Sequence, residues 1–293
     1  MGMGCTPQTP ETAAGAVHAG IQARNGLCKL PVFRPVALKM LKLLANDQAE
    51  VQGIAELLRS DPALSAQLLT VANSALYGNS HTIDNLGRAI LVLGFERARS
   101  LTLTVALKSL LGRDATQLMP ACWQHSMAAA LLAEELAPLY EITKDRAYTA
   151  GLLHDVGRLG LLMSYGERYA PILRTVHNSV SDCLRGERDL FQMDHCQAGL
   201  WLAQRWGFPP EYSRVAGCHH DEVPAANPDL TSLGHTACLL ADALGFPAVS
   251  FAQAPCAAEI VQRLPATPWN RYAFNEEELT SRIAQQIASV ETV

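Results

Sequence analysis

Residues Gly151-Leu152-Leu153-His154-Asp155-Val156-Gly157-Arg158 join an apolar run to an adjacent imidazole and carboxylate, with a glycine and an arginine close behind. On a regular α-helix neighbouring side chains diverge by about 100°, because a turn takes about 3.6 residues. His154 and Asp155 can therefore serve one centre only at a helix end, or where that centre lies between their two directions. Arg158 follows Asp155 by three positions and shares roughly its face. A neutral nitrogen ligand, a charged oxygen ligand and a nearby cation suit a transition-metal site that handles an oxyanion. His-Asp dipeptides are common, so the weight of this one depends on what further ligands the chain supplies.

Outward from that stretch, the composition favours helix. Of 293 residues, 49% are hydrophobic, 17% charged and 6% aromatic. The apolar share is mostly Leu and Ala, which favour helix over strand. The length allows one large domain or two ordinary ones. A net charge of −5 argues against broad nonspecific nucleic-acid binding, which needs a basic surface. Eight cysteines (Cys5, Cys28, Cys122, Cys183, Cys196, Cys218, Cys238 and Cys256) form no Cys-x-x-Cys pair. They read as reduced core thiols of a cytoplasmic protein rather than a disulfide framework or a zinc ribbon. No apolar run reaches transmembrane length and no basic-then-apolar leader precedes the body, so no membrane partner is expected. Gly2 to Thr6 fits the N-myristoylation pattern, a short match read as chance.

Helical spacing runs through most of the chain. Residues 1–26 form a Pro/Gly/Thr-rich leader, expected to be flexible. A first helical sub-bundle is expected over 27–116, with helices at Val36–Leu44, Val51–Leu58, Ala63–Asn73, Ile83–Leu93 and Phe95–Leu111. Ser60-Asp61-Pro62 gives the third of these a capping side chain and a first-turn proline. A second sub-bundle is expected over 117–245. Its helices run Trp123–Tyr140, Thr143–Leu153, Leu159–Ser164, Gly166–His177, Glu187–Trp206, Glu211–His220 and Leu230–Leu244. Gly207-Phe208-Pro209-Pro210 is a firm break. The tail, 246–293, is irregular until a capped helix opens at Asn275-Glu276-Glu277-Glu278. The expected fold is all-α, two packed helical sub-bundles.

Two local features have competing readings. Asn73, Ser74 and Tyr77 could touch a ligand, but capping and turn formation explain them better. The helix pair across Ile83–Leu111 has helix-turn-helix proportions, yet Leu101 to Leu107 is mostly apolar. A recognition helix needs an exposed polar face, so direct DNA binding is not expected.

The order of several segments resembles the HDOD family, a bacterial signalling branch of the HD superfamily. The segments are Leu30-Pro31, Ile54-Ala55-Glu56-Leu57-Leu58, Asp61-Pro62-Ala63-Leu64, Ala72-Asn73-Ser74-Ala75-Leu76-Tyr77-Gly78, Ile83, Ala89-Ile90 and Leu93-Gly94. The resemblance covers roughly residues 27–245. It implies an all-helical fold and a regulatory setting.

The second half offers His125, His154, Asp155, His195, His219, His220 and Asp242, nearly all on or at the ends of different expected helices. A bundle that points these positions inward builds a metal centre from several helices. Imidazole with carboxylate suits iron, manganese, zinc, cobalt or nickel better than calcium. His18, His81, His177 and His235 read instead as ordinary hydrogen-bonded or surface histidines.

The ligand order is similar to that of the catalytic HD phosphohydrolases, above all the HD-GYP phosphodiesterases. Carried over, the resemblance implies one metal on His125, His154, Asp155 and Asp242. A second would sit on His195, His219 and His220, with Asp155 bridging. It implies a divalent transition-metal pair, iron or manganese first, that activates water for attack on a phosphate ester. Arg158 stands where those enzymes place a phosphate-contacting lysine and would neutralise developing charge. Asp155 and Arg158 are then the candidate catalytic residues. After His219-His220 the chain reads Asp221-Glu222-Val223-Pro224, without Gly-Tyr-Pro, and Ala121 occupies a position that is acidic in trinuclear relatives. These departures argue against cyclic-di-GMP hydrolysis and a third metal. The expected function is a signalling module with a retained metal centre, working through a partner protein and a nucleotide or phosphate ligand. The alternative is a free-standing metal-dependent phosphohydrolase.

Overall fold

The computed structural model describes residues 24–44, 56–73, 82–111, 117–221, 228–265 and 275–291. Residues 1–23 of the expected leader lie outside them, as do His18, Ser74, Tyr77 and His81. The elements are α1 (Pro35–Leu44), α2 (Pro62–Ala72), α3 (Leu86–Leu93), α4 (Phe95–Leu111), α5 (Met119–Leu136), α6 (Lys144–Leu153), α7 (Val156–Arg174), α8 (Val180–Phe191), α9 (His195–Trp206), α10 (Pro210–Cys218), α11 (Leu230–Ala243), α12 (Ala257–Gln262) and α13 (Glu276–Glu291). Among the described residues the only extended pairing is an isolated parallel bridge between His177 and Phe251. The all-α expectation holds.

In the first half, α2 starts at Asp61, whose side chain accepts from Leu64 N, with Pro62 at the first helical position. Asn73 closes it: its amide donates to Leu69 O and Ile83 O at 2.8 Å, and its carbonyl accepts from Ile83 N at 2.7 Å. That is the structural role expected for Asn73. Every residue of α4 from Ala98 to Leu107 is buried, because α1, α2, α3 and α6 pack around it.

The second half is centred on α5, which packs against α6, α11 and α13. Its run Ala128-Ala129-Ala130 is fully buried and presents almost no side chain to α6. Gly151 of α6 lies so close that an added Cβ would strike the Ala129 backbone. This close crossing brings the His125 end of α5 beside the C-terminus of α6.

One expected helix is corrected. Glu187 to Trp206 is not one helix: Gln192 is left-handed (φ 57°) and ends α8, and Asp194 opens α9 with a capping box to Gln197. The local hydrogen bonds of that box outcompete continued helix. The break expected between Leu159–Ser164 and Gly166–His177 is present inside α7, where Gly166 is non-helical at φ 27° and ψ −102° and kinks it; the second part stops at Arg174. No helix among the described residues is long and apolar enough to cross a membrane.

Candidate metal centre

His154 is the C-terminal boundary of α6 and Asp155 the residue before α7, at φ −104° and ψ 23°. The pair sits at a helix junction, so the divergence of neighbouring helical side chains does not apply and both can turn to one centre. Gly157, the second residue of α7, packs against the backbone of His195 and Gly199; a Cβ there would clash with both. That contact sets the start of α9 against the His-Asp junction.

Around the junction the structure gathers all seven expected residues. His154 Nε2 lies 3.2 Å from His125 Nε2. The rings of His154 and His219 are 4.9 Å apart, those of His195 and His219 5.4 Å, and those of His195 and His220 5.1 Å. Asp155 Oδ1 is 3.6 Å from His195 Nε2. Asp242 Oδ1 is 3.3 Å from His125 Nδ1, the nitrogen turned away from His154. All but His220 and Asp242 are at most 3% exposed.

The hydrogen bonds fix two of the imidazole tautomers. His154 Nδ1 donates to Gly151 O at 2.6 Å and His125 Nδ1 to Phe246 O at 2.9 Å. A carbonyl only accepts, so each Nδ1 carries the proton and each neutral ring has its lone pair on Nε2. Burial pushes His125 down to about 3 and lowers His154 as well. The two Nε2 atoms thus face each other across 3.2 Å in a buried interior, with the Cys238 thiol 3.6 Å from that of His125. Asp155 Oδ1 and His219 Nε2 are buried without a hydrogen-bond partner. Unpaired buried polar atoms are costly, and a divalent transition ion would satisfy this donor set. The residues therefore fit such an ion best on the His125–His154 side.

The His195 side differs. Arg158 is 4% exposed and its Nε donates to Asp155 Oδ2 at 2.6 Å. Its Nη1 donates to Glu187 Oε1 at 3.3 Å, and its Nη2 lies 3.1 and 3.3 Å from the two ring nitrogens of His195. Glu187, fully buried, accepts from His195 N at 2.8 Å and from His195 Nδ1 at 2.7 Å, and from the Tyr169 hydroxyl. Burial alone would raise Asp155 and Glu187. The Arg158 charge and neighbouring imidazoles hold Asp155 far below the usual carboxylate range, and His195 with Arg158 holds Glu187 down. Burial and Arg158 push His195 down, yet Glu187 keeps it well above its ordinary value. An ion at His195 Nε2 would have to displace that proton.

A cavity of about 10 Å³ lies among His125, Arg158, His195, His220, Cys238 and Asp242, barely room for one water. Ala248, Val249 and Phe251 help close it. They belong to a strap that follows α11. Its Phe246 O holds His125, its Ser250 O accepts from His177 N at 2.9 Å, and its Ala252 N donates to His177 O at 2.8 Å. Sequence reading did not single out Glu187, Tyr169, Cys196 or Cys238, and it set His235 aside as ordinary. His235 Nδ1 donates to His219 O at 2.6 Å and so fixes the turn that carries His219-His220.

A family model for the HDOD domain matches residues 30–222. The chain belongs to the HDOD family. An HDOD domain protein of unknown function from Geobacter sulfurreducens has a crystal structure with TM-score 0.72 at 21% identity, covering 96% of this chain and 97% of that one. A Marinobacter aquaeolei protein provisionally named for signal transduction superposes at TM-score 0.68 and 18% identity, covering 95% of this chain and 65% of its own. A Shewanella amazonensis protein provisionally named a phosphohydrolase gives 0.64 at 21%, covering 93% and 95%. An uncharacterized protein of Treponema pallidum is 23% identical over 202 residues, 66% of this chain and 38% of that protein. This HDOD chain therefore spans under two fifths of the curated relative it matches.

Proposed function

We propose that this HDOD protein is a signal-transduction module whose HD-type centre holds a divalent transition ion for structure and regulation rather than for open turnover. His125, His154 and Asp155 would hold the ion, with Asp242 behind His125. When bound, such an ion supplies Lewis acidity and fixes its ligands. A second ion on His195, His219 and His220 would share its space with the Arg158 guanidinium.

The observation that carries this reading is the enclosure of the polar cluster. The cavity of about 10 Å³ has no room for a phosphate ester. The residue expected to meet phosphate, Arg158, is spent on Asp155 and Glu187. The strap residues bonded to His125 and His177 give the centre a route to the surface, where a partner protein could read its state. The provisional name of the Marinobacter aquaeolei neighbour agrees with this role. The phosphohydrolase name of the Shewanella amazonensis neighbour keeps hydrolysis as the second reading. It requires the strap to lift and Arg158 to leave Asp155.

Elemental analysis of protein purified without added metal tests the proposal. Stoichiometric transition metal that Asp155→Ala depletes is the expected result. Sub-stoichiometric metal unchanged by that substitution would sink it. With metal loaded, nitrophenyl phosphates and cyclic nucleotides should show no turnover; turnover that Asp155→Ala abolishes would establish the hydrolase reading instead.

A further inference from the structure

We propose that Cys238 is a ligand in this centre, its thiolate joining His125 Nε2 and His154 Nε2 on one ion of zinc-like softness. The inference rests on the metal reading above and narrows it to a donor set that the histidine–aspartate pattern does not contain. Cys238 Sγ lies 3.6 Å from His125 Nε2, and His125 Nε2 lies 3.2 Å from His154 Nε2. All three ligand atoms fall within 4.8 Å of one another and all three residues are buried. For a tetrahedral ion with metal–nitrogen bonds of about 2.05 Å and a metal–sulfur bond of about 2.3 Å, the N···N edge is about 3.3 Å and the N···S edge about 3.6 Å. Both measured separations match those edges.

A buried cysteine is usually a small apolar filler, and three further observations set this one apart. Both imidazoles present Nε2 rather than N–H to the shared space, since their Nδ1 protons go to Gly151 O and Phe246 O. Asp155 Oδ1, on the residue next to His154, is buried without a hydrogen-bond partner. Asp242, four residues after Cys238 and so on the same face of α11, meets His125 from behind at Nδ1. Cys238 takes the inner position and Asp242 the outer. On binding, the S–H bond breaks, its proton leaves to solvent, and sulfur donates the freed pair to the ion. Thiolate ligation favours zinc or cobalt over manganese, which prefers oxygen donors.

The test is cobalt(II) substitution of the full-length protein followed by absorption spectroscopy. The expected spectrum has a near-ultraviolet thiolate-to-cobalt charge-transfer band and the intense visible bands of tetrahedral cobalt. Cys238→Ser should remove the charge-transfer band and weaken zinc binding by about 10- to 100-fold or more, the loss known for supporting residues being a lower bound. Cys196→Ala should leave the band in place. One equivalent of cobalt bound without that band overturns the thiolate ligand while leaving the metal reading intact. A band that survives Cys238→Ser and disappears in Cys196→Ala also overturns it. Failure to bind cobalt or zinc at all removes the metal reading and this inference together. The wild-type spectrum decides the central point even if a variant folds poorly.

Discussion

Arg158 concentrates the energetics of the site in one side chain. It faces two buried carboxylates, Asp155 at 2.6 Å and Glu187 at 3.3 Å, and nothing else in the described contacts of Glu187 carries a permanent positive charge. Arg158→Met keeps most of the stem but takes the guanidinium from Asp155 and leaves Glu187 with the His195 ring; breaking a buried pair this way costs about 3–5 kcal/mol. Urea denaturation of the metal-free variant should show a loss of that size, and Asp155→Asn in the same chain should recover part of it by removing the carboxylate charge that Arg158 faced. A variant within about 0.5 kcal/mol of wild type would mean that the guanidinium holds nothing in place. The family resemblance gave Arg158 a phosphate to meet; here its guanidinium meets Asp155 and Glu187. Tyr169 and Glu187 become its neighbours only through the bend at Gly166 and the break at Gln192. The bend is marked in the sequence by its glycine, whereas the break at Gln192 has no strong mark. Cys238 did have a legible signal, its four-residue spacing from Asp242 on an apolar helix, but a cysteine among apolar residues has a blander reading.

At the scale of elements, the sequence was most legible where a cap fixes a helix start. Asp61-Pro62 opens α2 and Asn275 opens α13 as expected. The break between α8 and α9 was not legible, because apolar spacing continues through it while Asp194 and Gln197 cap locally. Asp61 gives a cap that can be tested with pH. It accepts from Leu64 N at 3.2 Å and meets Arg34 at 2.8 Å. Its partial burial would raise the carboxyl, but the Leu64 amide and then Arg34 hold it below the ordinary aspartate value. Asp61→Ala should cost about 0.5–2 kcal/mol, mostly the cap, since an exposed ion pair adds little. The sign follows from linkage. The folded-state pKa is depressed, so this stabilisation is complete above the unfolded pKa and disappears as pH falls through the folded one. Melting temperatures of the two proteins should therefore differ near neutral pH and converge in acid below the ordinary aspartate range. A gap that stays constant into strong acid would show that the carboxylate charge plays no part.

For the whole molecule, the centre is a junction where α5, α6, α7, α9, α11, the turn after α10 and the strap meet. Helix identity was readable from spacing because a bundle must bury one face of each helix. Convergence was readable only because seven ligand-type residues, four of them in two adjacent pairs, fall near helix ends or on inward faces. The strap was not readable, since its closure depends on a two-residue bridge between His177 and Phe251 in an irregular stretch. If an ion joins His125 to His154, it ties α5 to the α6–α7 junction and, through His125 Nδ1 and Phe246 O, stiffens the strap. Folding and metal binding are then linked. An ion present at about 100 times its dissociation constant adds about 2.7 kcal/mol, worth roughly 5–10 °C in a domain of this size. Chelator-stripped protein should melt lower by that margin and recover with added zinc. The amides of His177 and Ala252 should exchange more slowly once zinc is bound, because their hydrogen bonds to and from the strap open less often. Recovery of the melting temperature with unchanged exchange at those two amides would separate the ion from the strap and leave it a purely internal staple. Slower exchange there would mean that occupancy of the buried centre reaches the surface, as a signalling module requires.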